Sequence, residues 1–261
     1  MLKVMTFNLR NDAPIDGINR FWLRTDRVLE TIFDEAPDLI GFQEAPDDAR
    51  EFLGNALKEE YYVIGGGPNQ NHRASGNALA FKRTRFELIG LETKWLSPTP
   101  DVPGSRFAEL GQSECSRNYH LATLRVVGKN QILYFVTTHT DHVGGKSRTV
   151  AAKQLLELLQ SFGEAPAVLV GDLNATPDEE SIQILSSASR FGIVDVTAQV
   201  GGTYHGFGVL EEPLKIDYIF SNLPCSESHA VRDVPLNGVY ISDHNPVVAT
   251  LNLDGAPSDT K

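Results

Sequence analysis

The sequence predicts an α/β fold of the α+β type, in which two mixed β-sheets pack together with helices on the outside. Predicted strands come in groups, and helical patterns separate them less often than in a doubly wound sheet. The composition, with 41% hydrophobic and 22% charged residues, matches a folded domain. A chain of 261 residues also fits one large domain better than two. We therefore expect a single domain over residues 1–254 and a flexible tail over 255–261.

The amino-terminal elements follow from local patterns of apolar residues. Alternation predicts a first strand at Leu2–Asn8. Apolar residues then recur at helical spacing over 20–36, and Pro37 ends that helix. The apolar run Leu39–Phe42 predicts a short buried strand, and a helix is expected near Asp47–Leu57.

Strands dominate the rest of the chain. Runs rich in β-branched and aromatic residues predict them at Tyr61–Ile64, Asn77–Phe81, Phe86–Trp95, His120–Val126, Ile132–Thr138, Ala167–Val170, Lys215–Phe220, Ala230–Val234 and Val247–Leu251. A long amphipathic helix is predicted because Leu155, Leu158, Leu159 and Phe162 stand at i, i+3, i+4 and i+7. A short helix is expected at Glu179–Leu185.

Composition excludes several classes of protein. The 23 basic and 34 acidic residues give a net charge of −11, which disfavours non-specific coating of nucleic acid. Cys115 and Cys225 cannot form a disulfide framework, and we expect two buried or half-buried thiols. No apolar run reaches the roughly 18–20 residues that span a bilayer. A cytoplasmic location follows, or a secreted one if a leader precedes the first residue, and no obligate protein partner is indicated.

The informative polar residues stand at the ends of predicted strands. They are Asn8 in TFN, Glu44 in GFQEA, His139, Asp141 and His142 in THTDH, Asp172 and Asn174 in GDLNATP, Asp217 in KIDYIF, and Asp243 and His244 in SDHNPV. Taken singly, each could be a turn residue or a helix cap. Together they supply carboxylates, amides and imidazoles at positions where a rigid scaffold displays functional loops.

These residue types narrow the chemistry. Carboxylate and amide oxygens suit a hard cation such as Mg²⁺, with Mn²⁺ as the alternative. The sequence contains no HExxH helix, no GxxxxGK[ST] loop and no GxSxG elbow. The remaining interpretation is a metal-assisted hydrolase with a His–Asp base.

The same motifs, in this order and spacing, resemble the endonuclease/exonuclease/phosphatase superfamily, whose members are similar to pancreatic deoxyribonuclease. The resemblance covers Leu2–Leu253, and GDLNATP with SDHNPV is its most specific part. The chain most resembles a bacterial subgroup of metal-dependent hydrolases. This closer resemblance rests on Asn19, Trp22 and Arg24, on KWLSPTP at 94–100 and on TYHGF at 203–207. The resemblance implies a four-layer αββα sandwich with the site at one edge of the two sheets.

The resemblance also implies a set of metal and substrate ligands. Glu44 corresponds to the principal Mg²⁺ ligand, with Asn8 beside it and Asp243 completing the set. Arg117 resembles the family's phosphate-clamping arginine. For His205, in TYHGF, two interpretations stay open, namely a substrate contact and a structural turn.

The catalytic residues are implied in the same way. Asp172 and Asn174 resemble the pair that orients the attacking water and contacts the phosphate. His244 resembles a general base or phosphate-binding imidazole that Asp217 orients. His139 resembles a second imidazole that stabilises or protonates the leaving oxygen.

One position departs from the family pattern. Relatives tend to carry an acidic residue in the GNALAF segment that supports the equivalent of His139, whereas this chain has Asn77. Either His139 is less basic than in relatives, or Asp141 takes over the support. His142 is expected either to support a residue of the site or to be exposed. His72 and Arg73 are expected in a solvated loop.

The sequence thus predicts a Mg²⁺-dependent phosphoester hydrolase, specifically a phosphodiesterase that uses direct attack by water. Its substrate is a phosphoester, either a small molecule or a nucleic acid. The first alternative is a nuclease, DNase-like or acting at abasic sites, which the acidic composition disfavours. The second is a catalytically silent binding protein, disfavoured because every ligand-type residue is present.

Overall fold

A computed structural model describes residues 1–67 and 76–255. The predicted loop residues His72 and Arg73, and the expected tail from residue 256 onward, lie outside the described residues. The described strands are β1 (Leu2–Asn8), β2 (Leu39–Gln43), β3 (Tyr61–Gly66), β4 (Asn77–Lys82), β5 (Phe86–Trp95), β6 (Asn118–Val126), β7 (Ile132–His139), β8 (Ala167–Asp172), β9 (Val194–Asp195), β10 (Asp217–Ser221), β11 (Cys225–Ala230) and β12 (Val247–Leu251). The described α-helices are α1 (Thr25–Glu35), α2 (Asp47–Ala56), α3 (Gly145–Ser161) and α4 (Glu180–Ser186).

The strands form two mixed sheets of six strands each. The order is β11-β12-β1-β2-β4-β3 in the first sheet and β5-β6-β7-β8-β10-β9 in the second. Each sheet has one parallel pair at its centre, β1 with β2 and β7 with β8, and the other pairs are antiparallel. The carboxyl ends of these four central strands lie at one common edge, because Asn8 at the end of β1 hydrogen-bonds Asp172 at the end of β8.

Three apolar layers hold the sheets and helices together. Facing side chains such as Val4 of β1 and Val168 of β8 fill the space between the sheets. α1 and α2 pack on the outer face of the first sheet, where Ile32 and Leu53 join its core. α3 and α4 cover the outer face of the second sheet in the same way. The predicted four-layer αββα sandwich is confirmed.

Three local predictions were wrong. The strand expected at Ala230–Val234 lies earlier, at Cys225–Ala230, where its register with β12 runs from Cys225 opposite Leu251 to Ala230 opposite Val247. The helix expected from residue 20 begins at Thr25, after a short 3₁₀ turn at Phe21–Leu23. Both cysteines are free, as expected, but they are exposed rather than buried.

Gly41 of β2 marks the closest approach of the two sheets. A Cβ atom there would lie 2.2 Å from Val170 Cγ2 and 2.7 Å from Thr137 Oγ1. We expect Gly41→Ala to lower the free energy of unfolding by about 1–3 kcal/mol, because overpacking forces both sheets to shift. Thermal denaturation would then give a Tm lower by roughly 3–10 °C. Gly90→Ala in β5, where nothing lies within 4 Å of the added carbon, is the control and should leave Tm nearly unchanged.

Candidate active site

The predicted site residues converge at the edge where the central strands end. β1 ends at Asn8, and Glu44 directly follows β2. β7 and β8 end side by side, with His139 opposite Asp172 in the parallel register. Asp217 opens β10 opposite Asp172, so an antiparallel strand begins at the edge where its neighbour ends.

A cleft of about 370 Å³ opens over these strand ends. Its lining residues are Arg10, Asn11, Glu44, Cys115, Arg117, His139, His142, Asp172, Asn174, Tyr204, Ile216, Asp243 and His244. Of the ten residues predicted for the site, seven line the cleft. Asn8 and Asp217 lie directly behind it, because each hydrogen-bonds a residue that lines it. His205 does not line the cleft.

His244 is held by a buried carboxylate. Its Nδ1 lies 2.9 Å from Asp217 Oδ2, which leaves Nε2 facing Asp172 Oδ2 at 3.8 Å and Asp243 Oδ1 at 3.9 Å. Burial alone would lower the pKa of His244, but the three carboxylates outweigh burial and raise it to about 10. The cationic imidazole therefore balances a cluster of buried negative charge.

Asp172 is the central carboxylate of this cluster. Its Oδ1 accepts a hydrogen bond from the Asn174 backbone N–H at 2.9 Å, and its Oδ2 accepts one from Asn8 Nδ2 at 2.8 Å. Burial raises the pKa of Asp172 to about 7, and the nearby Asp217 acts in the same direction. A carboxyl group with a pKa near neutrality can exchange a proton during a reaction.

Two of the site residues have left-handed backbone conformations. Glu44 has φ 53° and Asn174 has φ 46°, each just beyond the end of a central strand. Such a conformation costs a non-glycine residue about 1–2 kcal/mol. Strain of this kind clusters at functional sites, where the surrounding structure enforces it.

Glu44, Asp243 and Asn8 offer oxygen atoms that fit a hard cation. Among the described residues, Glu44 Oε2 accepts one hydrogen bond, from the Asn11 N–H at 3.1 Å, and the carboxylate borders the open cleft. Burial raises the pKa of the Asp243 carboxyl, and repulsion from Glu44 raises it further. A divalent cation between the two carboxylates would relieve that repulsion, and an all-oxygen donor set suits Mg²⁺. A second group of ligand-type atoms lies within 4.8 Å of one another on Asp172, Asp217 and His244. In that group the Asp217 carboxylate is already hydrogen-bonded to the His244 imidazole.

His139 lacks the support that a carboxylate would give. Asn77 donates to the backbone carbonyl and Oδ1 of Asn118, and Asp141 is likewise engaged elsewhere. The Nδ1 of His139 is buried and has no hydrogen-bond partner within residues 1–67 and 76–255, while its Nε2 accepts a hydrogen bond from Asn174 Nδ2 at 2.9 Å. Burial and the charges of the neighbouring Arg117, His244 and His142 lower the pKa of His139 well below its usual value. His139 is therefore neutral near pH 7.

Arg117 is a buried cation at the other side of the cleft. Only 7% of the residue is exposed, and its Nε has no hydrogen-bond partner in the part of the chain that the structure describes. Its Nη2 donates to His142 Nδ1 at 3.0 Å. The nearest carboxylate, Asp141, lies 4.0 Å away and accepts hydrogen bonds from the backbone N–H groups of Ser113, Val143 and Gly144. The guanidinium thus retains hydrogen-bonding capacity for an anion.

Sequence reasoning did not place Arg10, Asn11, Cys115, Tyr204 or Ile216 in the site, although all five line the cleft. Arg10 stands two positions after Asn8, and its guanidinium is held by Asp16 while lying 3.8 Å from Asp243. Tyr204 packs its ring against the His244 imidazole with centroids 4.9 Å apart. Its neighbour in TYHGF, His205, points the other way and lies 5.3 Å from the Tyr240 ring.

Comparison with known proteins agrees with this architecture. The sequence profile of the Endonuclease/Exonuclease/phosphatase family matches residues 5–244. A solved endonuclease/exonuclease/phosphatase structure from Bacteroides vulgatus superposes with a TM-score of 0.86 and 28% identity, covering 96% of this chain and 99% of the other. The mannosyl-6-phosphatase of Bacteroides thetaiotaomicron shares the fold, with a TM-score of 0.84, 23% identity, and coverage of 97% and 100%. Uncharacterized protein L388 of Acanthamoeba polyphaga mimivirus is 23% identical over 95% of this chain and 98% of its own length.

In the part of the chain that the structure describes, no helix combines the length and the apolar character needed to cross a bilayer.

Proposed function

We propose, since this chain belongs to the endonuclease/exonuclease/phosphatase family, that it is a Mg²⁺-dependent phosphoester hydrolase acting on small phosphodiesters by direct attack of water. The observation that carries the proposal is the contact of Asp172 with Asn8 and Asn174, beside two imidazoles and next to the Glu44–Asp243 pair. Members of the family hydrolyse phosphoesters, so each part of this arrangement has a role in one reaction.

A bound divalent cation would supply positive charge that offsets the negative charge developing during attack. Asn8, Glu44 and Asp243 are the residues that would hold it. Mn²⁺ has the same preference for oxygen ligands and is the alternative metal.

The chain's own side chains position and activate the water. Asp172 is fixed by two donors and faces His139 and His244, so it is suited to orient a water molecule and receive its proton. His244 presents Nε2 to the same space, because Asp217 holds Nδ1, and is suited to bind a phosphate oxygen. In the hydrolysis, the water oxygen bonds to phosphorus and the bond to the leaving oxygen breaks.

We assign His139 a supporting role. Asn174 Nδ2 also donates to the Thr140 carbonyl at 3.1 Å, so its second hydrogen points to His139 Nε2. That nitrogen then carries no proton to give to the leaving oxygen. His139 accordingly orients Asn174, and the leaving oxygen takes its proton from solvent at the open side of the cleft.

The charges around the cleft favour a small substrate over a duplex. Among the described residues that line the cleft, only two are arginines, Arg10 and Arg117, and none is a lysine. The whole chain carries a net charge of −11. Non-specific grip on a nucleic acid needs several Lys or Arg contacts to phosphates along the strand.

A substrate panel tests the proposed function. With Mg²⁺ present, we expect hydrolysis of the diester bis-p-nitrophenyl phosphate to exceed both hydrolysis of the monoesters p-nitrophenyl phosphate and sugar phosphates and cleavage of plasmid and abasic-site DNA. Faster cleavage of DNA at equal phosphate concentration would support the nuclease alternative instead. Absence of hydrolysis for every compound would contradict the enzymatic assignment.

Arg117 should contribute to substrate binding. We expect Arg117→Gln to raise KM about 10–100-fold, because a charge-assisted hydrogen bond to phosphate contributes roughly 1.5–3 kcal/mol. Steady-state kinetics with the best substrate of the panel gives the value. Arg125→Gln is the control. Arg125 lies in β6 and forms an exposed ion pair with Glu87 of β5 at 3.2 Å, and it does not line the cleft. An unchanged KM in the Arg117 variant would remove it from the binding site.

A further inference from the structure

Arg24 belongs to the Asn19, Trp22 and Arg24 run, which has no role in the chemistry described so far. It lies between the 3₁₀ turn Phe21–Leu23 and the first residue of α1. Only 1% of the residue is exposed, and it is among the largest fully buried side chains of the described residues. A buried arginine is costly unless its donors are satisfied. Its hydrogen bonds therefore indicate what it does.

The guanidinium of Arg24 donates to backbone carbonyls from three separate segments. Nε donates to Asn19 O at 2.8 Å, and Nη1 donates to Ile241 O at 2.6 Å. Nη2 donates to both Leu9 O and Arg10 O. One rigid, planar group thus joins the segment that follows β1 to the segment that precedes β12.

Those two segments carry the proposed metal ligands. Leu9 and Arg10 directly follow Asn8, and Ile241 stands two residues before Asp243. Ser242 joins the same segments a second time, because its Oγ donates to Asn8 O at 2.7 Å. Asn8 and Asp243 come from opposite ends of the sequence, so their relative position depends on such cross-links.

Arg24 is a buried cation whose donors are directed to backbone carbonyls. No carboxylate forms an ion pair with it among the described residues, and its hydrogen-bond acceptors are carbonyl oxygens. Burial lowers the pKa of Arg24 to about 10, whereas Asp243, Asp16 and Glu44 act to raise it. The group remains a cation at neutral pH, and it is held by backbone carbonyls of the two segments that carry Asn8 and Asp243.

We propose that Arg24 is a positioning residue of the active site, which sets the spacing of Asn8 and Asp243. This inference rests on the proposed function. Arg24 borders neither the cleft nor any reacting group, so it acts through the residues it holds.

Arg27, in the first turn of α1, provides a matched control. It donates to Val239 O, to Val234 O at 3.0 Å and to Asp233 Oδ1 at 2.9 Å. Arg27 therefore holds residues 233–239 of the segment before β12, whereas Arg24 holds Ile241 of the same segment, closer to Asp243. A purely structural role for Arg24 predicts that loss of either arginine lowers stability and leaves metal binding intact.

The test compares Arg24→Met, Arg24→Lys and Arg27→Met. For each purified variant, Mn²⁺ affinity is measured by calorimetry, together with Tm, kcat and KM. We expect Arg24→Met to raise the Mn²⁺ dissociation constant and to lower kcat, each by about tenfold or more, since a misplacement of about 1 Å can cost about 100-fold. Arg24→Lys, which keeps the charge, should recover part of both losses. Arg27→Met should lower Tm while both values stay within about twofold of wild type, as expected for a site outside the catalytic constellation.

Equal Mn²⁺ affinity and kcat in wild type, Arg24→Met and Arg27→Met would overturn the inference. If Arg24→Met does not fold, Arg24→Lys decides alone, and wild-type Mn²⁺ affinity and kcat in that variant would overturn it. A wild-type protein that neither binds Mn²⁺ nor hydrolyses any ester would instead contradict the proposed function.

Discussion

Asp172→Asn is expected to lower kcat by about 10²–10⁴-fold, the range that a positioned acid–base group contributes. The amide keeps the shape of the side chain but cannot accept the proton of a water molecule. It also cannot accept hydrogen bonds on both sides, as Asp172 does from Asn8 and Asn174. Initial rates with the best substrate of the panel, at saturating Mg²⁺, measure the effect.

Stability distinguishes loss of chemistry from loss of fold in this variant. The substitution removes a carboxylate that is buried beside Asp217, which favours folding, and it loses one hydrogen bond, which opposes folding. Because these effects offset each other, we expect Tm to change by no more than about 5 °C. Asp178→Asn, in the exposed turn after the same strand, should keep full activity. An Asp172→Asn enzyme with wild-type turnover would refute the assignment.

Most of the candidate site could be predicted because the side chains that bear the chemistry stand at strand ends. Asn8, Glu44, His139 and Asp172 each close an apolar strand, and apolar strands are easily recognised in a sequence. Parallel central strands then bring their carboxyl ends to one edge. Sequence-distant residues thus meet without any local signal of their contact.

Tyr204 and His205 show where that reasoning stops. They are adjacent in TYHGF, and residue type favoured the histidine. Tyr204 forms isolated bridges with Leu214 and His244 in an extended segment, where neighbouring side chains point to opposite sides. The side that faces the cleft depends on pairing with segments distant in sequence. A shift of this pairing by one residue would turn His205 rather than Tyr204 towards the cleft.

Wrong element boundaries have a similar cause. The apolar residues of Ala230–Val234 suggested a strand, but pairing with β12 selects Cys225–Ala230, which is mostly polar and exposed because it forms an edge strand. The helix after residue 20 starts late because Arg24 has a non-helical ψ of 11°. Its guanidinium contacts Ile241 O, 217 positions away along the chain. Local helical spacing contains no information about such a contact.

Removal of the divalent cation is expected to have an effect as large as that of Asp172→Asn. Dialysis against a chelator should lower kcat by at least about 10³-fold, because a metal ion contributes several kcal/mol of transition-state stabilisation. Added Mg²⁺ or Mn²⁺ should restore the rate. The same cation should raise Tm, since a ligand at 100 times its Kd stabilises the folded state by about 2.7 kcal/mol.

Glu44→Gln tests whether this cation occupies the predicted site. Glu44 and Asp243 repel each other, so a divalent cation bound between them should stabilise the fold. The glutamine variant removes that repulsion together with most of the attraction for the metal. We therefore expect its metal-free form to melt at or above the wild-type temperature, with little further rise when Mg²⁺ is added. Glu51→Gln, on the exposed face of α2, should keep the wild-type response. A full Mg²⁺-dependent rise of Tm in the Glu44 variant would place the cation elsewhere in the protein.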